Sequence, residues 1–305
     1  MRSNRMGNTG LQVSDLSLGT FEWGRRVDEA TARELLDAYA SAGGTALELP
    51  AFDAPAVGLV TGMRIPSRVQ LLARVGVRAT GVGGTPQLRT GRSDLLSDVR
   101  ALLGAIDRDH LDVLVLDAFD DQIPVEESAS VLRTLVDAGD VGYVLLSHHS
   151  AWQLSLRAAD AALPVAGAIT EYSLLRRDAE VSLRPALDYL GLGLIAGAGL
   201  GRGVLSGQYL RGVPAGSRGA GDLGGYVGEL LDEDTTGVVQ GVVKAATALG
   251  VDPVDIALAW NRRSLCASTI VSPRTREQLD QLLDSQLELA DEISEVLDQI
   301  SDPHG

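Results

Sequence analysis

The chain has one cysteine, Cys266, in 305 residues. No disulfide can therefore close within it, and a reduced, cytoplasmic setting is the natural expectation. The surrounding Asn-Arg-Arg-Ser-Leu-Cys-Ala-Ser offers that thiol no base, so a buried structural cysteine is expected rather than a nucleophile. Lysine is equally scarce. Lys244 is the only one, and the other basic side chains are arginine or histidine. Positive charge as a whole is in deficit: the formal net charge is -15, which argues against nucleic acid or an anionic membrane as partner and favours solubility. No apolar run follows the N-terminal arginines, so no signal peptide is expected. No stretch is long and apolar enough to span a bilayer as a helix.

What is present is a globular composition. Hydrophobic residues make up 45% of the chain, enough for one large core. The rhythm is a short apolar run, a turn, then an amphipathic helix, repeated. Strands are expected at Leu16 to Leu18, Ala46 to Leu49, Val69 to Ala73, Val113 to Leu116, Tyr143 to Leu146, Ala166 to Ile169, Gly193 to Ala196 and Ser268 to Val271. Between most of them lies a helical pattern; Ala32, Leu35, Leu36, Tyr39 and Ala40, for example, fall on one face. Uninterrupted apolar strands suit a parallel sheet covered on both sides. Eight strands alternating with helices predict an α/β fold, a (β/α)8 TIM barrel, as a single domain over residues 1–305. Met6 to Val13 reads as a hairpin capping the barrel floor, and Arg274 to Ile300 as two closing helices. Two glycine-rich segments interrupt the pattern, Gly81 to Thr85 and Arg211 to Gly228; the second is long enough to be a lid over the mouth.

Several phrases, taken in order, resemble the aldo-keto reductase family almost end to end. They include Gly10-Leu-Gln-Val-Ser-Asp-Leu-Ser-Leu-Gly-Thr, Ser150-Ala-Trp-Gln-Leu, Glu171-Tyr-Ser-Leu-Leu-Arg-Arg, Gly203-Val-Leu-Ser-Gly-Gln-Tyr and Val271-Ser-Pro-Arg-Thr-Arg-Glu-Gln-Leu. The resemblance implies a barrel with its site at the C-terminal rim. It also implies NADP(H) bound in extended form without a Rossmann motif, and no Gly-x-Gly-x-x-Gly follows a strand here. The family's Asp/Tyr/Lys/His tetrad maps onto Glu48, Asp53, Arg74 and Asp117, so all four positions differ. On the cofactor side, Tyr172 matches a stacking aromatic, Arg274 the arginine that holds the 2′-phosphate, and Gln278 a polar residue near the adenine. Thr170 and His148 stand where the family keeps the glutamine and asparagine that hold the carboxamide. The adenine end is thus better kept than the nicotinamide end.

Arginine at 74 is a permanent cation that cannot share a proton as lysine can. An aspartate at 53 is ionised unless burial raises its pKa. The rims of neighbouring strands should bring Glu48, Asp53, Arg74, Asp117 and His148 to one mouth, with Asp120 and Asp121 on the adjoining loop. Crowded carboxylates there suit acid–base work, with Glu48 or Asp117 as base, Asp53 as acid, Arg74 gripping an anion or enolate, and His148 as shuttle. The same residues could instead form a charge network filling the vacated space. At most one of His148 and His149 should face the site, and no metal is expected. Three readings follow. The first is a non-redox dehydratase, isomerase or cyclase on a small polar metabolite. The second is an NADP-dependent oxidoreductase with a non-standard proton donor. The third is a non-catalytic barrel that senses NADP or supports a partner protein.

Overall fold

A computed structural model describes residues 1–50, 54–78, 86–264 and 266–302. Eight parallel strands close into a barrel: β1 (Leu16–Gly19), β2 (Ala46–Leu49), β3 (Gln70–Val75), β4 (Leu111–Leu116), β5 (Val141–Ser147), β6 (Val165–Glu171), β7 (Gly193–Gly197) and β8 (Ser268–Val271). They pair in chain order, and β8 closes on β1 through Thr269 opposite Leu16 and Val271 opposite Leu18. The expected strand positions hold, several lengthened by one to three residues, because the ladder extends past the apolar run onto polar residues such as Arg74, Ser147 and Glu171.

The surrounding helices form where the apolar spacing places them. The helix Glu29–Ser41 buries Ala32, Leu35, Leu36, Tyr39 and Ala40, and Asp28 caps it by accepting the Thr31 N–H at 2.8 Å. One helix, Ala54–Thr61, breaks the sequence expectation. It reads Ala-Pro-Ala-Val-Gly-Leu-Val-Thr, with no charged face to reveal a period and two residues, Pro55 and Gly58, that ordinarily argue against a helix. Pro55 is tolerated because it stands in the first turn, where its missing N–H has no partner to lose. The tail folds as two helices, Arg276–Asp284 and Asp291–Ile300.

Inside the barrel, side chains alternate between the core and the helix layer. The lower interior is apolar: Ala46, Leu72, Val113, Val115, Leu145, Ile169, Ile195 and Ile270 meet there with Met6, Leu11 and Val13. Those last three belong to the N-terminal hairpin, whose strands Ser3–Arg5 and Gln12–Ser14 pair antiparallel and plug the floor. Continuing up the same inward rows, the next residues are Glu48, Arg74, Asp117 and Ser147. The polar site is therefore the top layer of the barrel interior. Of the glycine-rich segments, Gly81 to Thr85 lies outside the described residues. The segment after β7 forms short turns and one short helix, Gly224–Gly228. Among the described residues no helix is long and apolar enough to cross a membrane.

Candidate active site

Arg74 is the hub of the barrel mouth. Its Nε donates to Glu48 Oε1 at 2.6 Å and its Nη1 to Ser147 Oγ at 2.8 Å; Nη1 also bonds Asp117 Oδ1. Burial by itself would lower the pKa of this guanidinium, but the two carboxylates overcome that and hold it above its ordinary value. Glu48 is 6% exposed, and Arg74 is its hydrogen-bonded side-chain partner among the described residues. Gly19 on β1 packs closely against the end of β8: a Cβ there would lie 2.5 Å from Ser272 Oγ and 2.9 Å from Ile270 Cγ2, and would just touch Glu48 Oε2 at 3.4 Å. His148 Nε2 stands 3.8 Å from Asp117 Oδ1, on a largely exposed ring.

These residues line one end of a cavity of about 680 Å³ that continues past Thr170, Glu171, Gly197 and Arg202 to Arg274 and Gln278. The barrel thus brings together Glu48, Arg74, Asp117, His148, Thr170, Arg274 and Gln278. Asp53 lies outside the described residues. Asp120 and Asp121 are absent from the cavity wall. Asp120 accepts from Gln122 N at 2.9 Å and from Thr90 Oγ1 at 3.2 Å, and Asp121 accepts from the Gln122 side chain at 2.9 Å.

Tyr172 is a correction. Its ring does not line the cavity. It is 3% exposed, packs against Trp260 with ring centroids 5.3 Å apart, and donates its hydroxyl to Glu180 Oε1 at 2.6 Å. Burial, together with Glu180, pushes its pKa up. Successive side chains on an extended strand end point to opposite faces, and Glu171 takes the inward one.

His148 and His149 divide as two adjacent residues should. His148 faces the cavity, and His149 turns into the wall, where its ring meets Phe119 edge-on at 5.7 Å. His148 has φ 55, Ala198 φ 50 and Arg202 φ 56. Of the four non-glycine residues with positive φ among those described, these three line the cavity, and the fourth, Asp107, ends a helix. Backbone strain of this kind persists where surrounding structure over-determines it, as at ligand sites.

The segment after β7 supplies further wall residues: Arg202 just beyond the strand, and Arg218 and Tyr226 within the glycine-rich stretch expected as a lid. Arg202 grips Glu171 with two bonds of 2.8 and 2.7 Å and stacks over the Tyr226 ring at 3.9 Å. Arg218 donates to Glu22 Oε1 at 2.6 Å, Arg26 to Ser217 O at 2.9 Å, and Arg274 to Gly216 O at 2.7 Å. These bonds strap residues 216–226 across the mouth and make Arg218 and Tyr226 part of the cavity wall. Arg202, Arg218 and Glu22 carry no spacing signature, so only their tertiary partners reveal them.

The model of the Aldo/keto reductase family matches residues 15–302. The chain belongs to the aldo/keto reductase family. Relatives run nearly its full length. A "Probable voltage-gated potassium channel subunit beta" from Oryza sativa subsp. japonica is 30% identical over 297 residues, 91% of this chain and 88% of that protein. "Protein tas" from Escherichia coli (strain K12) is 30% identical over 333 residues, 96% and 95% of the two chains. "Uncharacterized oxidoreductase YrpG" from Bacillus subtilis (strain 168) is 29% identical over 325 residues, 98% and 96%. In this aldo/keto reductase family barrel, the inner end of the cavity is a guanidinium held between two carboxylates, and the outer end carries Arg274.

Proposed function

We propose that the protein binds NADP(H) in extended form along this cavity and acts as an oxidoreductase whose standard Asp/Tyr/Lys/His tetrad has been replaced. The observation behind this reading is the continuity of the cavity from Arg74 to Arg274. Arg274 suits a phosphate: one bond goes to a backbone carbonyl, and no carboxylate among the described residues pairs with it. Gln278 accepts the Arg274 backbone N–H at 2.8 Å, which fixes that residue at the helix start and leaves the glutamine amide nitrogen for the ligand. Bound there, the cofactor would supply or accept hydride at the Arg74 end. Arg74 would stabilise negative charge on a substrate oxygen through Nη2, its one guanidinium nitrogen with no bond to Glu48, Asp117 or Ser147. It cannot give up a proton, so the donor is another group.

The test is a fluorescence titration with NADPH and NADH. The expected result is preference for NADPH, with Arg274→Ala weakening NADPH by about tenfold or more and NADH little, as for loss of one charge-assisted bond. Absence of NADPH binding at millimolar concentration would remove this reading.

One observation favours the non-redox acid–base alternative. Glu48 Oε2 and Asp117 Oδ2 accept no hydrogen bond among the described residues, so each carboxylate keeps one oxygen for a substrate. That alternative expects turnover without a nicotinamide cofactor, abolished by Glu48→Gln. Against it, Arg74 already bonds both carboxylates, so each has one oxygen committed to the guanidinium.

A further inference from the structure

If the cavity is an oxidoreductase site, it needs a proton donor, and the rim of the second strand offers no tyrosine in sequence: the six stand at 39, 143, 172, 189, 209 and 226. The tertiary structure brings two of them to the cavity, Tyr209 and Tyr226. The Tyr209 hydroxyl accepts the Gly219 N–H at 3.1 Å and so helps hold the strap. The Tyr226 hydroxyl makes no hydrogen bond among the described residues. Its ring is fixed by Arg202 stacked at 3.9 Å, and its backbone carbonyl is bonded by Arg202 Nη1. Arg202 is fixed in turn by Glu171 and Glu229. The phenol is therefore oriented without being consumed.

We propose that Tyr226, delivered from the strap rather than from the second strand, is the catalytic proton donor of the cavity it shares with Arg74. This rests on the oxidoreductase reading and names the group which that reading leaves open. The charged groups acting on the phenol all line the same cavity: Arg74 on β3, Glu171 on β6, Arg202 after β7 and Arg218 on the strap. The residue is 39% exposed; its partial burial raises the phenol above its ordinary value, as does Glu171, while Arg202, Arg218 and Arg74 pull the other way. At neutral pH the hydroxyl is protonated, as a donor must be. In the step assigned, the carbonyl carbon gains the hydride of NADPH as the C=O π bond opens. The carbonyl oxygen takes the proton from Tyr226 Oη, leaving NADP⁺, an alcohol and a tyrosinate. Water re-protonates the tyrosinate, and the positive field of Arg74, Arg202 and Arg218 stabilises it meanwhile.

Tyr226→Phe keeps the ring on Arg202 and removes only the hydroxyl. With NADPH and 4-nitrobenzaldehyde as probe, kcat should fall by about a hundredfold or more while NADPH affinity stays within about twofold. A second readout needs no turnover. In the wild-type-minus-Tyr226→Phe difference, the single-tyrosine absorbance transition should move to lower pH when NADP⁺ saturates the protein, because a cationic nicotinamide nearby favours the phenolate. Wild-type kcat in Tyr226→Phe, or a transition indifferent to NADP⁺, overturns the assignment of Tyr226 alone. Failure of the wild-type protein to bind NADPH overturns the parent reading, and this one with it.

Discussion

His149 should make the protein acid-sensitive above the range where carboxylates titrate. Its side chain is 7% exposed. Its Nδ1 lies 2.7 Å from Ser147 O, and Arg157 Nε donates to its Nε2 at 3.2 Å. The ring is thus held neutral with the proton on Nδ1; a second proton on Nε2 would face a guanidinium. Burial, reinforced by Arg157 and opposed by the Ser147 carbonyl, lowers its pKa from 6.5 to about 4. Between those values the unfolded chain binds a proton that the native state refuses. The stability this group contributes is therefore complete above the unfolded value of 6.5 and is lost as pH falls toward about 4. The slope is about 1.4 kcal/mol per pH unit for one proton, and the whole effect is about 3 kcal/mol. Urea midpoints measured from about pH 7.5 down to about pH 5 should fall steeply in the wild-type protein. They should fall less in His149→Gln, which leaves Arg157 an acceptor. Parallel profiles for the two proteins would refute the account of a neutral, buried ring.

Three further outcomes follow from the same structure. Arg74→Met should cost about 3–5 kcal/mol in chemical denaturation, since it leaves Glu48 buried and unpaired; a cost under about 1 kcal/mol would show that Glu48 finds water. Cys266 is 7% exposed and burial pushes its thiol up to about 12, so iodoacetamide at mildly alkaline pH should label it only after unfolding. Rapid labelling of the native protein would contradict that placement. Arg218→Met removes the hydrogen-bonded partner of Glu22, which is 1% exposed and keeps Arg26 at 4.0 Å. Limited proteolysis should then cut within residues 216–226 faster than in the wild type, and an unchanged rate would mean that the bonds from Arg26 and Arg274 hold the strap alone.

Legibility from sequence followed physical locality. The eight strands could be read because each is an apolar run bounded by turns, and the two closing helices because their apolar spacing is regular. The helix Ala54–Thr61 could not, since a segment without charge has no period to show. Within the site, Glu48, Arg74, Asp117 and His148 were foreseeable from strand ends that must share one rim. Tyr172 was misplaced because a family phrase fixes a residue's position along the chain but not the face it takes at a strand end.

By itself, then, the sequence determined the barrel, the top layer of charged residues, the oddity of arginine between two acids, and the membership that its ordered phrases announce. These rest on local periodicity and on inward rows that any closed parallel barrel imposes. Only the tertiary structure decided that Arg74 bonds both carboxylates, that His149 is walled in against Arg157, and that Tyr226 returns over the mouth on a strap tied down by Arg26, Arg202, Arg218 and Arg274. Each of those contacts joins residues tens to hundreds of positions apart or depends on a side-chain direction. No spacing rule encodes such meetings; closure of the barrel and packing of the segment after β7 create them.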